Sequence, residues 1–223
     1  MSIPEEEIRP TIKGPKKDLD RIVKASIKEL SIEDLRIKHS LERYIFVDSI
    51  VESNMIIDVG CGNALGLSQI KHKRLIGIDI CESALAYIRT NFENIETYRA
   101  DASLIDSTLL EKQIGLIDKK DILVICFELL GTDTFNNDHI LIDHLLALGN
   151  KIAISIPNYK GMIPKPYFSR IYDTITFDKL FEKYTNKVFY SQWYPTKRKE
   201  NDPIFKEGLD PTADFMLVII NEN

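Results

Sequence analysis

Paired cysteines are missing from this sequence. The three present, Cys61, Cys81 and Cys126, are an odd number at wide spacing with no C-x-x-C. That argues against a zinc ribbon and against a disulfide framework, and for reduced thiols in a cytoplasmic protein. No apolar run approaches the roughly 18 residues that a membrane helix needs. Residues 1–21 lack the apolar core of a secretory signal. Neither charge dominates: 29 Lys and Arg stand against 34 Asp and Glu, a formal net charge of -5. A dedicated duplex-DNA binder would normally be basic, so nucleic acid is an unfavoured partner. Repeats and low-complexity tracts are absent, and 10 Gly and 9 Pro are too few for a collagen-like chain. What is present is a 223-residue chain, 44% hydrophobic and 28% charged. A chain of that length buries roughly 70–75% of its unfolded surface and forms one α/β domain or two small ones.

Residues 1–14 are polar and read as a flexible leader. Leu19, Ile22, Val23, Ile27 and Leu30 then recur at helical spacing, and Ser31 with Asp34 resembles a capping box opening a second helix. These N-terminal helices fill residues 15–51. Apolar runs at 55–59, 75–80, 95–101, 121–127 and 151–157 read as strands. Helical patterns at 64–70, 82–92 and 138–149 alternate with them, and 104–116 is a weaker candidate. This βαβ rhythm implies a parallel sheet with right-handed crossovers and helices on both faces. A short amphipathic helix (177–184) and strands at 187–194 and 214–222 follow, with a long polar connection over 196–214.

The chemistry concentrates in Ile56-Ile57-Asp58-Val59-Gly60-Cys61-Gly62-Asn63-Ala64-Leu65-Gly66, which follows the first strand. Gly60 and Gly62 allow a tight turn and a close approach of ligand to backbone. Asp79 ends the second strand, where a carboxylate can accept hydrogen bonds from both ribose hydroxyls of a nucleoside. A dinucleotide site would want G-x-G-x-x-G to seat a pyrophosphate, whereas Leu65 stands at the third glycine. An acid before the first glycine, at Asp58, suits an ammonium better than a phosphate, by Coulomb sign.

At these residues the chain resembles the class I S-adenosylmethionine-dependent methyltransferases. Asp58-Val-Gly-Cys-Gly62 is similar to that family's D/E-x-G-x-G motif, and the resemblance covers residues 50–160. It implies a Rossmann-like seven-stranded mixed sheet of order 3-2-1-4-5-7-6, strand 7 antiparallel, with helices on both faces. It implies S-adenosylmethionine as cofactor. Asp58, Gly60, Cys61 and Gly62 would hold its methionine end, Asp79 and Ile80 its ribose, Asp101 and Ala102 its adenine, and Cys126 would lie beside the methyl donor. The family often has a third glycine where Ala64 stands.

The acceptor side is less defined. An N-P-P-Y motif after the fourth strand, frequent in enzymes that methylate amino groups of DNA bases or glutamine, is replaced here by Cys126-Phe127-Glu128-Leu129. Ile156-Pro157-Asn158 after the fifth strand resembles some small-molecule and saccharide methyltransferases. Methyl transfer to a hydroxyl needs a base. His139 and Glu128 are the candidate catalytic residues, with Asp133 and His144 behind them. Phe127, Tyr159, Tyr167, Phe168, Tyr172, Trp193 and Tyr194 could wall an acceptor pocket. The basic run Lys197-Arg198-Lys199 would favour an anionic acceptor, Lys71-His72-Lys73-Arg74 less so. No spacing calls for a metal. The expectation is a single methyltransferase domain over 15–223, with its Rossmann-like core over 52–223. It would be an S-adenosylmethionine-dependent enzyme acting on a small molecule or saccharide, at a hydroxyl. The alternatives are an RNA or protein methyltransferase, or a catalytically silent cofactor-binding subunit.

Overall fold

The computed structural model describes residues 35–105, 111–112, 114, 118–132, 137–159, 169–199 and 202–222. The leader, the first N-terminal helix, the Ser31–Asp34 cap, Asp133, Tyr167 and Phe168 lie outside them, as does most of 104–116. Helix α1 (Leu35–Ile50) leads into β1 (Met55–Val59), β2 (Arg74–Asp79), α2 (Glu82–Asn91), β3 (Ile95–Arg99) and β4 (Ile122–Phe127). Helix α3 (Asp138–Leu148), β5 (Lys151–Pro157), α4 (Thr174–Leu180), β6 (Lys187–Gln192), β7 (Phe205–Glu207) and β8 (Phe215–Asn221) follow.

One mixed sheet runs β3-β2-β1-β4-β5-β8-β6-β7. The first five strands are parallel, and β8 inserts antiparallel between β5 and β6. The expected order and reversed final strand are present. The added strand is β7, which hairpins onto β6 through Tyr190↔Glu207 to Gln192↔Phe205 inside the stretch expected to be a polar connection. Its one apolar anchor, Phe205, stacks on Phe46 of α1 at 4.0 Å, a contact that no local periodicity announces.

The central strands β1 and β4 are buried at every position, which is why they read as unbroken apolar runs. Alternation along them divides two cores. Ile57, Val59, Val124 and Cys126 face α3 and α4. Ile56, Ile125 and Phe127 face α1 and α2, with Tyr44, Val47, Leu85 and Ile88. The same alternation puts Asp58 on the α1 side.

The helix expected over 64–70 is a single 3-10 turn, Leu67–Gln69. Ala64 takes φ +54°, the left-handed region, which no α-helix continues through. Gly66 presses against Tyr44, whose ring would lie 2.1 Å from any added Cβ. The position where the family often has a third glycine therefore lies in a turn rather than at a helix start.

Candidate functional site

The glycine turn leaves β1 with Gly60 at φ +79° and Gly62 at φ +54°. Backbone N–H groups of Gly60 and Cys61 donate to the Ile78 carbonyl at 2.8 and 3.1 Å, pinning the turn to β2. Space beyond Gly62 is open: an added Cβ would meet nothing within 4 Å. Cys61 is buried with its Sγ against Gly77, where a Cβ would sit 2.9 Å away. Burial pushes its thiol up, so it is a packed thiol rather than a thiolate.

Asp79 ends β2 and bridges the turn to the start of α2. Its Oδ2 accepts from Gly62 N–H at 2.9 Å and its Oδ1 from Cys81 N–H at 2.8 Å. Burial raises its pKa, and those backbone donors oppose the rise. These N–H bonds leave acceptor capacity on the carboxylate for a further donor. Ile80 is half-buried and its carbonyl accepts from Arg99 Nε at 3.2 Å. Asp101 caps the 3-10 turn Ala102–Leu104 by accepting from Ser103 N–H and Oγ–H at 2.9 and 2.7 Å. Ala102 is buried beside it.

Asp58 is fully buried beneath the turn. Tyr44 of α1 donates its hydroxyl proton to Oδ2 at 2.9 Å, while Oδ1 has no partner. Burial pushes this carboxyl up to about 7. The Tyr44 bond works against that, and the Asp79 charge adds to it. Tyr44 is itself raised, by burial first and then by Asp58. The sequence does single out Asp58, but nothing in it pairs Asp58 with Tyr44.

The neighbouring residue of α1 reaches the next strand. Arg43 places Nη2 2.5 Å from Glu128 Oε1 and Nη1 3.1 Å from Ser155 Oγ. It is 1% exposed, with its guanidinium 4.2 Å from the Phe215 ring centre and 5.5 Å from that of Phe127. Glu128 directly follows β4 at φ +62°, unusual for a side chain with a Cβ, and its N–H donates to the Ser155 carbonyl at 2.7 Å. Its carboxylate stays one-third exposed. Leu129 packs on Gly60, 3.2 Å from where a Cβ would be. Two consecutive α1 residues thus tie the ends of β1 and β4 together. Arg43 escaped the sequence reading because an Arg in an amphipathic helix looks like surface charge.

The other candidates are distributed elsewhere. His139 is exposed and lines a groove with Tyr172, Thr176 and Lys179 beside α4. His144 lies 3.4 Å from the Ala102 carbonyl. Cys126 is fully buried in the α3-facing core and raised by that burial. Asp138, at the start of α3, accepts from Gly131 N–H, Arg170 and Tyr172, so Tyr172 is engaged as a brace. Tyr194 packs 4.5 Å from His39. The basic runs are largely neutralised within the chain. Lys197 pairs with Asp214, Arg198 with Glu42, Lys73 with Asp48 and Arg74 with Glu96. Among the described residues, no group of three or more His, Cys, Asp or Glu is placed to hold a metal ion, and no helix is long and apolar enough to cross a membrane.

No protein-family model and no curated protein matches this chain. Solved structures do. A Thermotoga maritima S-adenosylmethionine-dependent methyltransferase, a possible histamine N-methyltransferase, superposes with TM-score 0.66 at 13% identity, covering 92% of this chain and all of its own. The plantazolicin methyltransferase BpumL in complex with S-adenosylhomocysteine gives 0.60 at 14%, over 95% of this chain and 92% of its own. The methyltransferase domain of bacterial CtHen1 gives 0.56 at 15%, over 84% and 100%. At such identities the likeness is one of fold, and it agrees with the strand order and the glycine turn: the chain has the Rossmann-like fold of the S-adenosylmethionine-dependent methyltransferases.

Proposed function

We propose that the chain is an enzyme that binds S-adenosylmethionine at the carboxyl ends of β1–β3 and methylates a small organic acceptor held at the ends of β4 and β5. The observation that carries this reading is Asp58. A buried carboxyl under the glycine turn, with one oxygen unpartnered, is built to receive a cationic donor. A pyrophosphate has the opposite charge and wants a helix N-terminus. This turn leads into a short 3-10 segment instead.

The residues present fit the cofactor. Asp58 Oδ1 would take the ammonium of its methionine portion, and open space in front of Gly62 would admit it close to the backbone. Asp79 would take the ribose hydroxyls on its free lone pairs. Asp101 and Ala102 would border the adenine. When bound, S-adenosylmethionine supplies an electrophilic methyl on a sulfonium. BpumL, a fold neighbour, holds the demethylated product of that cofactor, which supports the assignment. The internal pairing of Lys197 and Arg198 favours a small acceptor over RNA, since those charges are already engaged. Isothermal calorimetry with S-adenosylmethionine and with NAD tests the reading. Binding of the first alone is expected; binding of NAD without S-adenosylmethionine would overturn it.

A further inference from the structure

Tyr44 carries an inference about how the cofactor is received, one that rests on the cofactor reading above. Among the described residues its hydroxyl is the only hydrogen-bond donor to the Asp58 carboxyl, and it binds Oδ2 at 2.9 Å. Oδ1 is left without a partner inside a fully buried residue. Tyr44 cannot turn to serve both oxygens. It is 7% exposed, wedged between Gly66, where an added Cβ would lie 2.1 Å from the ring, and Phe127, edge to face at 4.8 Å. Arg43, the residue before it, is bonded to Ser155 and packed on Phe215, which holds that part of α1 in place.

We infer that Tyr44 is a positioning residue for the cofactor: its hydroxyl holds one oxygen of Asp58 as a carboxylate and leaves the other to the incoming ammonium. A fully buried carboxylate with one orphaned oxygen is unfavourable until a donor arrives. Without a ligand the protonated acid is favoured instead, and burial pushes Asp58 up to about 7. The Tyr44 bond favours the charged form and opposes that rise. Tyr44 keeps its own proton to donate, since burial and then Asp58 raise it well above the usual phenol range. The other titratable groups that bear on Asp58 are Asp79 at the end of β2, which raises it further, and the buried thiols of Cys61 in the turn and Cys126 in β4. Arg43 bears on Tyr44. Capture of the ammonium therefore expels a proton from Asp58 to solvent, and the Tyr44 hydroxyl sets how readily that proton leaves.

S-adenosylhomocysteine, which carries the same methionine-derived ammonium, is the probe. It is titrated calorimetrically into the full chain and into Tyr44→Phe between about pH 5.5 and about pH 8.5. Removing the hydroxyl should move the Asp58 midpoint up by about one unit, the scale of a hydrogen bond to a charged group. Wild type should then bind about tenfold more tightly than Tyr44→Phe at the acid end, and within about twofold of it at the alkaline end. The ligand's own amino group titrates alike against both proteins and cancels in the ratio. A merely structural role predicts the same ratio at every pH, so a flat ratio, unity included, overturns the inference. A wild type whose affinity does not change between the acid end and neutrality also overturns it, and that arm stands even where Tyr44→Phe fails to fold. Failure of S-adenosylhomocysteine to bind the wild type at any pH would instead bring down the cofactor reading beneath it.

Discussion

The β1–β2 and β4–β5 ends of the sheet are made in different ways. On the β1–β2 side, backbone supplies the geometry. Positive-φ glycines, N–H donors on the Ile78 carbonyl and an acid bridging Gly62 and Cys81 all lie within 24 residues of one another in sequence, from Asp58 to Cys81. On the β4–β5 side, side chains from distant elements do the work. Arg43 reaches Glu128 and Ser155 across 85 and 112 residues. A backbone-built site tolerates change in the side chains around it, whereas a buried side-chain network fails as a unit once one member is lost.

Breaking the distant network should have the largest effect. Arg43→Leu leaves Glu128 and Ser155 without their partner, and breaking a buried ion pair costs about 3–5 kcal/mol. Because Glu128 is one-third exposed, the expected loss is nearer 2–3 kcal/mol, read as a lower urea midpoint with unchanged slope. Wild-type stability in Arg43→Leu would mean that α1 does not hold the acceptor side together. Next, Gly66→Ala forces a Cβ into the Tyr44 ring and should cost about 1–3 kcal/mol by overpacking. Gly62→Ala has free space and only the left-handed φ to bear, about 1 kcal/mol. A melt in which Gly62→Ala is the worse of the pair would contradict the packing of α1 on the turn.

Asp79→Asn puts an NH2 opposite one of the two backbone N–H donors, so it should cost about 1–3 kcal/mol of stability and also weaken S-adenosylmethionine by about 1–3 kcal/mol, through a lost charge-assisted bond. Equal calorimetric affinity in the two proteins would remove Asp79 from the site. The pH profile gives the gentlest test. Asp58 is raised from 3.8 to about 7, so the folded state holds a proton that the unfolded state releases between those values. Its contribution to stability is complete below pH 3.8 and is lost as pH rises towards 7, by up to about 1.4 kcal/mol per unit. His39 runs the other way. Lowered from 6.5 to about 3 by burial and then by Arg43 and Arg198, it contributes stability present above 6.5 and lost as pH falls towards 3. The two slopes oppose each other between about 4 and 6.5, so a His39→Phe protein should expose the Asp58 slope in its melting temperature. Ligand binding adds a sign of its own. An ammonium wants Asp58 ionised, so S-adenosylmethionine affinity should fall about tenfold per unit below pH 7, with proton release seen by calorimetry in buffers of different ionisation heat.

Much of the β1–β2 side is legible in the sequence. Asp58, Gly60, Gly62 and Asp79 announce themselves because tight turns and strand-end acids are set by neighbours a few residues away. The helix expected over 64–70 is replaced by a 3-10 turn. Its composition permits a helix, but the left-handed Ala64 and the contact of Gly66 with Tyr44 override propensity. Strand β7 was missed because three residues are too few for a period, and its anchor Phe46 lies far away in α1.

The sequence by itself determined the alternation of strands and helices, the buried parallel strands, the place of the glycine turn and the pair of acids flanking it. Those follow from local backbone preference and from the period with which apolar residues recur. Only the tertiary structure decided that Tyr44 caps Asp58, that Arg43, packed on Phe215 and bonded to Ser155, holds Glu128, and that Lys197 and Arg198 are spent on Asp214 and Glu42. Each of those contacts joins residues whose types are ordinary for a surface helix or loop. Their meaning comes from burial, which makes an unpaired charge costly and so dictates which partners must meet.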